Sequence, residues 1–235
     1  MQIFSLLPLA DWLAMAWFFA AWIAYAWFAR VHGASAGSLI HTTNRYRRYW
    51  LKEATYRDPR VLDGIITQNL SSTPAFFSST TIIVIGGLFA LLGSTDKAAE
   101  LVREVPFAVR TSVLVFDLKV LLVVGIFVYA FFRFSWSMRQ YTFVALVIGS
   151  MPDPADFESG KRDRDQFVQR ASSLVGLAAE TFNDGLRAYY FAFAAIGWFF
   201  SSIVFAIGTA VVVLILYRRE FRSDVLAVLN DDSKE

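Results

Sequence analysis

The run Val113–Ile148 reads VLVFDLKVLLVVGIFVYAFFRFSWSMRQYTFVALVI. Its first half is apolar enough to cross a bilayer. Its second half places Arg133 and Arg139 among aromatics, and no proline interrupts it before Pro152. A helix of that length, at about 1.5 Å per residue, outruns the roughly 30 Å of membrane hydrocarbon. The run therefore reads as a membrane span prolonged into a cytosolic or interfacial arm. It sets the expected fold class: an all-α polytopic membrane protein, a single membrane domain over 1–235.

Composition points the same way. Of 235 residues, 56% are hydrophobic and 17% aromatic, more than a soluble chain of this length can bury. A net charge of +2 gives no footing for nucleic acid. The absence of cysteine excludes disulfides, thiolate metal sites and thiol nucleophiles.

Four spans are expected: about 8–29, 73–92, 113–133 and 190–216. Helical excursions at 30–72 and 134–189 separate them. In the first span Asp11 suits the positive end of a helix, and Ala16, Ala20 and Ala24 share one face. Trp12, Trp17, Trp22 and Trp27 step by about 140° and wind around it. The run before Arg30 lacks a basic n-region, so it reads as a retained span and not as a signal peptide. Asp58–Pro59 reads as a helix restart, and Pro74 as the first turn of the second span. The segment 94–111 is expected to hold a small surface helix. Met151–Arg164 is expected as a disordered loop or hairpin tip. Phe167, Ala171, Leu174, Ala178, Phe182 and Leu186 form an apolar stripe, which should pack on the prolonged third helix. Gly197 and Ser201 read as a small pair within the fourth span. The tail after Phe221 reads as frayed.

Two groups of residues are candidates for a site. Arg45, Arg47, Arg48, Arg133, Arg139 and Arg187 flank the apolar runs, where guanidinium groups meet lipid phosphates or a specific anion. Ser78, Ser79, Thr80, Thr81 and Asp117 are polar within spans. Hydroxyls there bond to a neighbouring helix or line a wet path, and an intramembrane charge is a functional candidate by default. Lys119 can snorkel to the interface.

Several stretches together resemble one family. They are WFAR at the end of the first span, NRYRRYW, FFSSTTIIVIGGLFALLG, the third-span run, FNDGLRAYYFAFAAIGWF and YRREFRS. They resemble the bacterial and plant integral membrane proteins known as domain of unknown function 599. The resemblance covers nearly the whole chain. It implies a four-helix membrane protein and carries over no catalytic residue.

Other chemistry finds no motif. His32 and His41 stand nine residues apart with no HExxH, and there is no GxSxG elbow or phosphate-binding glycine loop. No cofactor and no metal are expected. The function expected first is an oligomeric channel or transporter-like protein in a bacterial inner membrane, in contact with anionic lipid headgroups and forming a homo-oligomer. A scaffold binding a partner through its helical arms is the alternative. A lipid-modifying enzyme using Arg45, Arg47 or Arg48 with Asp117 or Glu180 is another. With four spans both termini share a side. The basic residues after the first span place them outside, while Arg218, Arg219 and Arg222 in the tail dissent.

Overall fold

The computed structural model describes residues 7–33, 37–94 and 112–231. Among them every regular element is helical: α1 (Leu9–His32), α2 (Leu39–Ala54), α3 (Val61–Gly93), α4 (Val113–Gly149), α5 (Pro154–Glu158), α6 (Arg164–Ile196), α7 (Ser202–Phe221) and α8 (Asp224–Asp231). A 3₁₀ turn, Gly197–Phe199, follows α6. Four stretches are long and apolar enough to cross a bilayer: Leu9–His32, Val61–Gly93, Val113–Gly149 and Ser202–Asn230. The expected surface helix at 94–111, apart from Ser94 and its neighbours at the edges, lies outside the described residues.

The chain divides into two units. The first gathers α1, α3 from Thr80, α4 up to Phe131, α6 from Leu186 and α7 up to Arg219. Its core is aromatic. Phe18 is fully buried and meets Phe191 edge-on at 5.5 Å and a tilted Phe205 at 5.0 Å. Trp22 lies flat on Phe191, with ring centroids 5.0 Å apart. Leu88, Leu91 and Leu92 of α3 pack on Phe116, Val120 and Val124 of α4.

The order of these contacts sets helix direction. Along α1, Asp11, Phe18 and Phe28 meet Ser202, Phe205 and Tyr217, so α1 and α7 run parallel. The same helix meets Trp198, Phe191 and Arg187 in descending order, so the end of α6 runs antiparallel to it.

The second unit gathers α2, α3 up to Ser79, α4 from Phe132, α5, α6 up to Gly185, and α8. Tyr141, Val144 and Ile148 of α4 pack on Val168, Ala171, Val175 and Ala178 of α6, with Leu51 of α2. The Ser137 hydroxyl donates to the Ala178 carbonyl at 2.7 Å. The two arms thus associate as their apolar periodicity requires, with the stripe centred on Val168 and Val175, one position round from Leu174.

Serine side chains cap the starts of three helices. The Ser38 hydroxyl accepts from the His41 N–H of α2, and Ser201 and Ser223 do the same for Val204 of α7 and Leu226 of α8. Each satisfies a donor that the first turn leaves without an intrahelical partner.

Several expectations are corrected. Pro74 does not begin a span: α3 runs through it from Val61 to Gly93. The Ser71 and Ser72 hydroxyls bond back to the Gln68 and Asn69 carbonyls in the turn before it. Residues 190–216 are not one helix. They are the end of α6, a turn and α7, and Gly197 and Ser201 shape that turn instead of a packing face. Ala16, Ala20 and Ala24 are exposed, and α1 buries Ala14, Phe18, Ala21, Tyr25 and Ala29 instead. The 151–164 segment contains α5, whose Phe157 is buried with Ala54 and Met151. The tail is helical over Asp224–Asp231, and the Leu229 carbonyl of α8 accepts from Arg45 and Tyr46.

Candidate functional site

The first unit contains a groove of about 740 Å³ between α1 and α4. Phe19, Trp22, Ile23 and Trp27 line one wall, and Leu122, Gly125 and Tyr129 the other. Their register follows from helical spacing: residues 19, 22, 23, 26, 27 and 30 recur along one side of α1. Ile23 and Trp27 are 68% and 63% exposed, so the groove is open along its length. A side chain on Gly125 would meet nothing within 4 Å, which makes that glycine the floor of the opening. The wall residues are apolar or aromatic except at the α1 C-terminal end, where Arg30 completes the lining. An arginine there also suits the negative end of the helix dipole.

A polar cluster lies elsewhere in the same unit. Asp11 is 7% exposed and Lys119 is 3% exposed. The Asp11 carboxylate accepts from the Trp198 indole N–H at 2.8 Å and from the Ser202 hydroxyl. The Lys119 ammonium donates to the Trp198 carbonyl at 2.8 Å and sits 5.4 Å from its ring. Trp198 therefore stands between a buried anion and a buried cation, and the turn that carries it is held from both sides.

The chain belongs to the family described as "Protein of unknown function, DUF599". The family model matches residues 13–225. No curated protein and no solved structure matches. That description assigns no site, and the four helices long and apolar enough to cross a bilayer point to a multi-pass membrane protein.

The six arginines of the sequence analysis do not converge. Arg45 donates to the Leu229 carbonyl and lies against the Tyr46 ring. Arg47 donates to the Asn44 side-chain oxygen at 2.5 Å and to the Thr43 hydroxyl at 3.2 Å. Burial lowers its pKa from the ordinary value, and the nearby Tyr141 and Glu180 oppose that shift. Arg48 and Arg139 are exposed, the latter 6.0 Å from the Phe143 ring. Arg133 pairs with Asp184. Arg187 belongs to the first unit, 5% exposed, with its guanidinium 5.6 Å from the Tyr25 ring.

The hydroxyl run is also divided. Ser78 exchanges a hydrogen bond with Ser135 at 2.9 Å, and Thr81 with Tyr189 at 2.6 Å. Ser79 is exposed, Thr80 half-buried, and Asp117 half-buried. The buried hydroxyls act between helices.

Sequence reasoning missed Trp198, Ser202, Asp63 and Asp184. Asp63 is fully buried and accepts from the Trp50 indole and the Arg57 guanidinium, both at 2.7 Å. Its only signal was a lone carboxylate in the first turn of α3. The second unit also holds a cleft of about 520 Å³, lined by Arg60, Thr67, Gln68, Ser71, Tyr141 and Thr142 among others. Arg60 is committed there to the Met151 and Pro152 carbonyls.

Proposed function

We propose that this protein is transporter-like and takes an amphipathic anion laterally from the bilayer into the groove between α1 and α4. The observation that carries this reading is an opening of about 740 Å³ whose described lining is apolar or aromatic along its length and has Arg30 at one end. From Phe19 to Arg30 the groove wall extends roughly 16 Å along α1 at 1.5 Å per residue, about half the hydrocarbon thickness. An acyl or isoprenoid chain finds apolar contact along that length, and its acidic head meets Arg30. A channel lined by the second-span hydroxyls has less support, because Ser78 and Thr81 are engaged between helices.

A photoreactive fatty acid and the alcohol of the same chain length test the proposal in reconstituted protein. The acid should crosslink to α1 and α4 and outcompete the alcohol. Gly125→Leu fills the floor and should abolish crosslinking by both. Arg30→Gln should remove the preference for the acid. Equal labelling of the wild type and Gly125→Leu would overturn it.

Self-association is a second reading. Gly86 and Gly87 are exposed on α3 with nothing within 4 Å of an added Cβ, leaving room for a helix of a second copy. The mass of the detergent-solubilised particle, with Gly86→Leu as the variant, measures it.

A further inference from the structure

The geometry points to a fifth membrane crossing, made by the end of α6, so that α1 and α7 cross in the same direction. The segments before α1 and after α7 then face opposite sides, and the basic ends of both helices meet the anionic leaflet of the cytoplasmic face.

Three observations within the first unit carry this. First, α1 and α7 are parallel. The Trp17 indole donates to the Ala206 carbonyl at 3.2 Å, and Phe28 meets Tyr217 eleven residues further along each helix. Two parallel helices that each cross once must be separated by an odd number of crossings. Second, α6 and α7 form a hairpin. A Cβ on Gly208 would lie 3.6 Å from the Ala194 Cα, and the Arg219 guanidinium donates to the Tyr190 hydroxyl at 3.2 Å. The end of α6 thus runs back beside α7 from the turn as far as Tyr190. Third, that turn is fastened beside the start of α1, where Asp11 takes the Trp198 and Ser202 donors while Lys119 holds the Trp198 carbonyl.

Hydropathy hides this crossing because α6 is polar over its first half. Charges stand within it at Glu180, Asp184 and Arg187. Arg187 is tolerated at depth because it is buried in protein against the Tyr25 ring.

The distribution of charge then agrees with the rule that cations stay inside. The C-terminal ends of α1 and α7 carry Arg30, Arg218 and Arg219, with Trp27 and Tyr217 as interfacial aromatics. The tail arginines that oppose a four-crossing scheme support a five-crossing one.

Single cysteines in this naturally cysteine-free chain test it: Lys52→Cys, Ser94→Cys, Ser159→Cys, Ser201→Cys and Asp224→Cys. In intact cells an impermeant maleimide should label only Ser94→Cys and Ser201→Cys. The other three should label only after permeabilisation. Labelling of Asp224→Cys together with Ser94→Cys, with Ser201→Cys silent, would overturn the fifth crossing. The complete mirror pattern would overturn the orientation. A green fluorescent protein fused after α8 gives a second readout that no cysteine can disturb. It should fluoresce, and a dark fusion at normal membrane abundance would count against the inference.

Discussion

The two units bury carboxylates in different company. In the first, Asp11 accepts from an indole and a hydroxyl, and Lys119 reaches the same tryptophan from the other side without pairing with Asp11 directly. In the second, Asp63 and Asp184 each hold an arginine. The aromatic packing differs likewise. The first unit stacks Trp22 on Phe191 and Trp198 on Phe205, while in the second Phe77, Phe134 and Phe182 each touch the other two. The difference teaches that a buried charge can be satisfied by neutral dipoles or by a counter-charge. Only the latter leaves a second charge stranded when one partner is removed.

Removing a paired carboxylate should therefore have the largest effect. Asp63→Ala leaves the Trp50 N–H and the part-exposed Arg57 guanidinium without their shared acceptor, at a cost of about 3 kcal/mol once solvent screening of Arg57 is allowed for. Thermal unfolding of the purified protein should show a lowered first transition. An unchanged melting curve would mean that Asp63 is not the hub of its unit.

Asp11→Ala should cost less, about 2–3 kcal/mol, because it removes charge-assisted hydrogen bonds whose other partners are neutral. Asp11→Asn keeps an acceptor for Trp198 and should recover most of that. Tryptophan emission is the readout: Trp198 should become more mobile and red-shifted in the alanine variant alone. Equal spectra for the two variants would erase the distinction between the units.

Packing gives a third contrast. A Cβ on Gly185 would come within 2.5 Å of the fully buried Phe134 ring, whereas one on Gly125 meets nothing. Gly185→Ala should destabilise by about 1–3 kcal/mol, and Gly125→Ala should be near neutral. Matched melting curves of the two variants would check this, and an inverted order would refute the assignment of Phe134 to the second unit's core.

The smallest effect belongs to the helix–helix hydroxyls. Ser78→Ala removes one hydrogen bond, to Ser135, worth about 0.6 kcal/mol. A fall several times that size would restore these hydroxyls as more than packing contacts.

The all-α class, the presence of apolar helices long enough to cross a membrane in α1, α3 and α4, and the association of the α4 and α6 arms were legible in the sequence. Hydropathy and apolar periodicity add up residue by residue along one helix, so neither needs a partner to be known. Val113–Ile148 could be read as one overlong helix because nothing within it breaks one. Residues 190–216 could not be divided by the same means. Apolar composition continues through the turn, and only tertiary contacts, Arg219 with Tyr190 and Asp11 with Trp198, show where the chain reverses. Partner choice was equally out of reach. A row of arginines announces cations, but tertiary structure decides which meets a carboxylate, a carbonyl or a ring. Asp184 takes Arg133, α8 takes Arg45, and Tyr25 takes Arg187, because each helix face can satisfy only the groups that its neighbours bring to it.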